Sequence, residues 1–454
     1  MSADALNIDT FINNRGVGRF QLLVGLLGIV ILIADGFDIQ IISYLIPQIT
    51  KEWGIEAAYQ GTILSAGFAG TMLGYVVLGS LSPKIGLKRA VVIYLTCAGL
   101  LNLATVTAIN PPMLVAFRVA TGMALGGLFP SAVALTAEYF PERYRASLVT
   151  IMYVGIPAGF LLAGGTAWAL IARFGWRSAF AVAGVVPLVL AVIEACAGSE
   201  SLHFLVGRAR NGRQRALRIL SKMDPHVVSS NRTALTSSTA GNPSVSVIEL
   251  FRSRRAVGTP ALWAALCLNS AVYYFILTWL PLILVRVGAT QENAILASSL
   301  VSISGIVAGV VTGPLMDTVG RYQVVTLLFA AGAAATFLVG SVLSPVLVVI
   351  VPAALCLGFC VSGIQKGVSA LVVRFYPTEL RPAGLGWALG SGQIGAIAGP
   401  FLAGQLIGHG WAPSSVFYVM SAPMIAGGIG IGIMWEHYRM KTVPTPVANA
   451  RIPL

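Results

Sequence analysis

Apolar runs long enough to cross a lipid bilayer recur along this chain, and that recurrence leaves few folds open to it. A hydrocarbon core of about 30 Å needs about 20 helical residues. Runs of that length fall near 22–49, 58–82, 89–109, 112–136, 146–171, 177–198, 257–285, 292–316, 322–343, 345–372, 383–407 and 412–435. Composition agrees: of the 454 residues 56% are apolar and only 10% charged, and the mean hydropathy is +0.84, far from the balance of a soluble domain. The fifty glycines suit helices whose backbones approach closely. The expected fold is an all-α integral membrane protein of twelve transmembrane helices.

The runs divide into two sets of six, giving an N-terminal segment 1–21, a six-helix half 22–198, a linker 199–256, a second half 257–435 and a tail 436–454. The opening residues lack the basic start, apolar core and cleavage site of a secretory signal, so this segment is expected to be retained. The linker is basic, with Arg208, Arg210, Arg213, Arg215, Arg218 and Lys222 against Glu200, Asp224 and Glu249, and its Ser/Thr-rich middle reads as flexible. Other short loops on the same side carry Lys84, Lys88, Arg89, Arg143, Arg145, Arg321, Arg374, Arg381 and Lys441, whereas the opposite loops hold chiefly Lys51, Arg173, Arg177 and Arg286. The positive-inside rule therefore places the linker and both termini in the cytoplasm. It also accounts for the net charge of +13 without nucleic acid, since the basic residues form no single patch.

The halves repeat at an offset of about 235 residues: "GSLSPKIGLKR" at 79–89 returns as "GPLMDTVGRY" at 313–322, "YFPERYRA" at 139–146 as "FYPTELRPA" at 375–383, and Gly175-Trp176 as Gly410-Trp411. Two parallel six-helix halves around a midplane site form a transporter plan, in which the halves rock about that site.

Within the first run, "ADGFDIQ" places Asp35 and Asp38 on one helix face near mid-depth. Such charges normally face a bundle interior or a cavity, and two neighbouring carboxylates there are candidate proton carriers. Arg118 in the fourth run is the natural counter-charge. Pairing with a bare Asp38 and releasing a protonated one would couple proton occupancy to conformation; a static ion pair is the plainer alternative. In the seventh run Asn269, Tyr273, Tyr274, Phe275 and Trp279 could stack on and hydrogen-bond a ring, or could simply pack. The five cysteines lie in or beside apolar runs, and His203, His226, His409 and His437 are scattered, so no metal site is expected. There is no phosphate-cradling glycine loop, no enzyme signature and no cofactor motif; a gradient must supply the energy.

"GSLSPKIGLKR" resembles the loop hallmark of the major facilitator superfamily, through Gly79, Leu81, Lys84, Gly86, Lys88 and Arg89, with Pro83 where that motif has aspartate; the second copy keeps Asp317, Gly320 and Arg321. The resemblance implies that these loops, with Glu138, Arg145, Glu379 and Arg381 nearby, gate the cycle by latching the halves when the site faces outward. Glu138 is expected to join Arg143 and Arg145 in a charge network. "RVATGMALGG", starting at Arg118, resembles the superfamily's fourth-span motif, which is associated with proton coupling. "DGFDIQIISYLIP" at 35–47 resembles the first-span signature of the aromatic acid:proton symporters, with Ser43 replacing a glycine. The segments "LTAEYFPERYR", "YYFILTWLPLIL", "SESLHFL" and "RFYPTELRPAGLGWALGSGQIGAIAGP" are also similar to that family. The family's span-eleven arginine is absent here, where Gln393 stands, while Lys366 introduces a cation in span ten. Lys366, with Gln365 and Gln393, is thus a candidate for the substrate carboxylate, although it could equally snorkel to the interface.

These features imply a monomeric importer of a small aromatic acid, such as a benzoate or hydroxybenzoate, driven by protons across a bacterial inner membrane. A non-aromatic or sugar acid importer and a proton antiporter remain alternatives. Span five, "GIPAGFLLAGG", lacks the contiguous Gly-Pro of the antiporter motif and favours symport. A transporter-like receptor would need a larger cytoplasmic domain.

Overall fold

The computed structural model describes residues 6–207, 210–223, 235–236, 247–252, 255–377 and 380–439. Arg208, Asp224, His226, Glu379 and Lys441 lie outside the described residues, as does almost all of the Ser/Thr-rich middle of the linker. Six long helices form the first half: α2 (Arg19–Trp53), α3 (Ala57–Ile85), α4 (Leu87–Thr105), α5 (Pro111–Glu138), α6 (Glu142–Phe174) and α7 (Trp176–Ala197). Six more form the second: α10 (Gly258–Arg286), α11 (Gln291–Thr318), α12 (Arg321–Ser341), α13 (Leu347–Phe375), α14 (Arg381–Gly408) and α15 (Pro413–Arg439). A short α1 (Ile8–Asn13) precedes them, and the linker carries α8 (Leu202–Val206), α9 (Arg210–Met223) and a 3-10 turn at Val247–Phe251. One parallel pair of two-residue strands, β1 (Leu6–Asn7) with β2 (Leu235–Thr236), ties the N-terminal segment to the linker.

Eleven of the long helices are long and apolar enough to span a bilayer. The twelfth, α14, is diluted by glycines that it uses for contact. Gly395 and Gly399 face the backbone of α10 at Cys267 and Ala271, and Gly404 lies where an added Cβ would sit 2.7 Å from the Gly61 Cα of α3. The outer surface of the bundle exposes large apolar side chains such as Leu23, Val76, Val310 and Val348, as a lipid-facing surface requires. The chain is a multi-pass membrane protein.

The duplication is visible in both packing and turns. In the first half α3 packs chiefly on α5, α2 on α6 and α4 on α7; in the second, α11 packs on α13, α10 on α14 and α12 on α15. Positive-φ glycines recur in register, Gly54 with Gly288, Gly86 with Gly320, and Gly175 with Gly410. At Gly86 and Gly320, φ of 101° and 123° reverses the chain between consecutive helices, a conformation that a Cβ disfavours.

The halves meet through α3–α14, α6–α11 and α2–α10, and the contacts gather at the end away from the linker. There Arg286 donates to Gln60 Oε1 at 2.8 Å, Gln291 to the Tyr44 carbonyl at 3.3 Å and Gln40 to the Leu277 carbonyl at 2.9 Å. Gly408 adds close contact with Ala58. The bundle is sealed at that end.

Gly36 sits where α2 crosses α6, and a Cβ on it would collide with the Ile156 carbonyl, whereas a Cβ on Gly430 in α15 would meet open space. Gly36→Ala is therefore expected to lower the melting temperature of the purified protein by several degrees through overpacking. Gly430→Ala should leave it unchanged or raise it slightly, as alanine does in a helix.

Candidate functional site

Asp38 is the centre of the best-defined buried polar cluster. It lies near the middle of the 35-residue α2, and both its carboxylate and the Arg118 guanidinium are almost fully buried. Arg118 donates to Oδ1 at 3.3 Å, to Oδ2 at 3.0 Å and to the Asp38 carbonyl at 3.2 Å. Asn102 of α4 donates to Oδ1 at 2.7 Å and also reaches the Ala183 carbonyl of α7 at 3.4 Å. Four helices thus converge on one aspartate. Room for the guanidinium comes from Gly67 of α3, whose absent Cβ would lie 3.2 Å from an Arg118 terminal nitrogen. Both carboxylate oxygens face donors, so a proton on Asp38 would turn an acceptor into a donor facing donors. Protonation would remove the charge from one side of the Arg118 contact and weaken it.

Asp35, one turn nearer the linker end, is buried and has no hydrogen-bond partner among the described residues. The phenols of Tyr75 and Tyr274 lie within electrostatic reach of it, and Tyr274 packs against Phe68 across the interface between halves, ring centroids 4.5 Å apart.

The second half contributes a separate polar cluster on α10 and α13. Asn269 donates to Gln365 Oε1 at 2.9 Å and to the Val361 carbonyl at 3.1 Å, while its own Oδ1 is buried without a partner among the described residues. Ser270 reaches Gln365 Oε1 at 3.4 Å. Tyr273, one turn along α10, faces Ser362 of α13. Gln393 lies on α14 where Gly392 approaches Ser270, and its Oε1 is likewise buried and unpartnered among the described residues. Lys366 does not run to the linker end. Its stem crosses Gly309 of α11 and its ammonium donates to the Gly305 carbonyl at 2.6 Å, toward the middle of the bundle. Trp279 stands apart: ten residues, or about 15 Å, along α10 from Asn269, fully buried, its indole N–H donating to the Pro400 carbonyl at 3.0 Å.

The loop residues stay within their own halves. Asp317 pairs with Arg374 at 3.2 Å on the surface, near the Gly320 turn and the exposed Arg321. Lys84 and Arg89 are exposed, a Cβ added at Gly79 would meet Pro130 at 4.0 Å, and Arg145 donates to the Phe140 carbonyl at 2.9 Å. Arg381 opens α14 with a buried Nε that lacks a partner among the described residues. Pro83 leaves no acid in the first loop, but Glu200 from the linker accepts the Lys88 amide at 2.9 Å, placing a carboxylate at the N-terminus of α4.

Glu138 differs from the sequence expectation. Its partner is His203 of α8, not Arg143 or Arg145: Glu138 Oε1 lies 2.8 Å from His203 Nδ1 and accepts the His203 amide, while His203 Nε2 lies 3.1 Å from Asp9 of α1. One imidazolium can bridge both acids. The hydrogen bond that the ring donates to Glu138, more than burial opposes it, raises the His203 pKa above the ordinary 6.5. Sequence reasoning missed Asn102 and His203; the signal was a polar residue amid "LLNLAT" and a histidine three residues after Glu200.

The chain matches the Major Facilitator Superfamily over residues 28–365 and 287–454. It is 32% identical over 445 residues to a gallate transporter of Pseudomonas putida, covering 98% of each chain. It is 31% identical to the 4-hydroxybenzoate transporter PcaK of Pseudomonas aeruginosa, covering 93% of this chain and 94% of that one. Among solved structures it is similar to the inward open conformation of the xylose transporter XylE from E. coli, with a TM-score of 0.71, 14% identity and coverage of 91% and 96%, a likeness of fold.

Two outcomes are expected. Asp38→Asn leaves a buried guanidinium unpaired and should destabilise by about 3–5 kcal/mol, whereas Asp38→Asn combined with Arg118→Gln should recover much of that loss; thermal melting of the three proteins checks it. Because the His203 pKa is raised on docking, its stabilisation of α1 is complete below about pH 6.5 and fades as pH rises through the raised value. Exchange protection of α1, corrected for the intrinsic base-catalysed rate, should therefore fall as pH rises above about 6.5, and His203→Gln should remove that fall.

Proposed function

Since this chain belongs to the Major Facilitator Superfamily, we propose that it imports a small aromatic carboxylate together with protons across a bacterial inner membrane, as a monomer. The observation that carries this reading is the buried Asp38–Arg118 pair, a proton-sensitive contact at mid-depth in α2 and α5. The gallate and 4-hydroxybenzoate transporters to which the chain is similar support an aromatic acid as cargo. The basic linker and loops support a cytoplasmic linker face. With the opposite end sealed, the site then opens inward.

In this reading the proton binds Asp38 from outside, frees Arg118, and lets the first half move against the second; Asp35 is the second titrating site. The cargo occupies the space between that pair and the α10–α13 cluster. Lys366 meets the carboxylate by exchanging the Gly305 carbonyl for it, Asn269, Gln365 and Gln393 hydrogen-bond ring substituents, and Tyr273 covers the ring. Trp279, committed to Pro400, supports the wall of α10 and does not touch cargo. The loops carrying Lys84, Arg89, Asp317 and Arg321, with Glu138, Arg145, Glu379 and Arg381, gate the outward-facing state. No covalent chemistry on the cargo is involved. One proton with a monoanion moves no net charge, and a second would add about 2.3 kcal/mol per 100 mV.

Uptake of labelled 4-hydroxybenzoate into proteoliposomes under an inward proton gradient tests the reading. Wild type should accumulate it and lose accumulation with an uncoupler, and Asp38→Asn should cut accumulation at least tenfold. Lys366→Ala should raise KM about tenfold, the equivalent of about 1.4 kcal/mol, with a smaller effect on kcat; an unchanged KM would remove Lys366 from the site. Accumulation of non-aromatic acids alone would overturn the aromatic assignment and leave proton coupling standing.

A further inference from the structure

A cavity of about 280 Å³ lies between α1, the start of α2 and the last turn of α9, away from the transport pathway, and Arg15, Arg19 and Lys222 line it. No aspartate or glutamate is among its described lining residues. Aromatic faces position two of the cations: the Arg15 guanidinium lies 4.2 Å over the Phe11 ring, and the Lys222 ammonium 5.7 Å from the centre of the Phe20 ring. Helix α2 begins here on Gly18, which has no side chain to cap it. The Gly18 amide itself donates to Gln21 Oε1 at 2.6 Å, while the first-turn amides of Arg19 and Phe20 have no intrahelical acceptor and carry the positive end of the helix dipole. Three cations and a helix start facing one concavity select an anion with several acceptor oxygens, such as a phosphate ester.

The surroundings say what carries that phosphate. Immediately after the cavity, α2 exposes Leu22, Leu23 and Leu26 at 60%, 65% and 58%, so the lipid-facing surface starts within one helical turn, about 5 Å, of Arg19. An occupant must present phosphate to the cavity and hydrocarbon to the leucines. The volume falls just below the usual range for small-molecule pockets, about 300–1,000 Å³, enough for a headgroup but not for a whole lipid. The linker helix α9 packs on α8 and touches α2, and its Ala216, Ile219 and Leu220 are buried in the same apolar cluster as Ile8 and Ile12 of α1, so Lys222 reaches the cavity from a packed support.

We propose that this cavity binds the phosphate headgroup of an anionic phospholipid from the leaflet on the linker side, with Arg15, Arg19 and Lys222 as its ligands and the leucines of α2 against its acyl chains. The bound lipid joins the first half to the linker helix. The site is independent of cargo and of the direction of transport.

Native mass spectrometry of the full chain released from nanodiscs tests it, with phosphatidylglycerol and phosphatidylcholine offered in equal amounts. Wild type should retain phosphatidylglycerol at least tenfold over phosphatidylcholine; a preference below twofold overturns the proposal whatever the variants do. Arg19→Gln with Lys222→Gln should abolish the preference. Arg215→Gln with Arg218→Gln, which removes equal charge from the exposed face of α9, should keep it, as should the charge-conserving Arg19→Lys with Lys222→Arg. Equal loss in both glutamine variants would reduce the effect to general electrostatic attraction and overturn the site. Soluble glycerol 3-phosphate that displaces the lipid at equal concentration would assign the cavity to a free phosphate ester and overturn the lipid as its occupant.

Discussion

Within a bilayer the hydrophobic effect gives helices no reason to prefer one another over lipid, so this bundle depends on how closely its backbones can approach. The glycines answer that need in pairs. Gly67 and Gly74 of α3 meet Gly122 and Gly126 of α5, Gly36 of α2 meets Gly159 of α6, and Gly61 of α3 meets Gly404 of α14. The first two sets hold a half together; the third seals the halves at one end. The same device therefore builds both permanent and separable interfaces, and what distinguishes them is the side chains around the glycines. Polar contacts such as Arg286 with Gln60 border the separable seal.

Both polar clusters leave buried groups unmade. Asp38 itself is met in full by Arg118 and Asn102, but Asn102 Oδ1 and Arg118 Nε have no partner among the described residues, as is true of Asn269 Oδ1 and Gln393 Oε1 in the second half. A buried polar group left unmade is costly, so each cluster has capacity for a further partner.

Much of this was legible in the sequence. Span length follows from apolar run length, and the duplication follows from turn glycines that recur because a reversed chain needs a positive φ at the same place twice. The D-G-x-D signature even carries its own packing logic, since Gly36 is the residue that lets α2 reach α6. What was not legible comes from residues far apart in sequence. Asn102 lies 64 residues beyond Asp38, with α3 between them, and found it only through tertiary packing. Glu138 passed over the nearby Arg143 and Arg145 for His203, because α8 folds back over the end of α5. The direction of Lys366 was equally open, and is set by the groove that Gly309 leaves on α11 for its stem.

That groove bears on how the proposed cycle resets. After an anion leaves, a bare ammonium would hold it back or slow the return of the empty protein, since an unsatisfied charge at mid-depth has nowhere to go. In that proposed cycle the Gly305 carbonyl, which accepts from the Lys366 ammonium at 2.6 Å, takes the departed anion's place. The unloaded protein of the proposal then carries an internal stand-in for its cargo, so that short residence time at the discharging face and a mobile unloaded state would both come from one backbone oxygen.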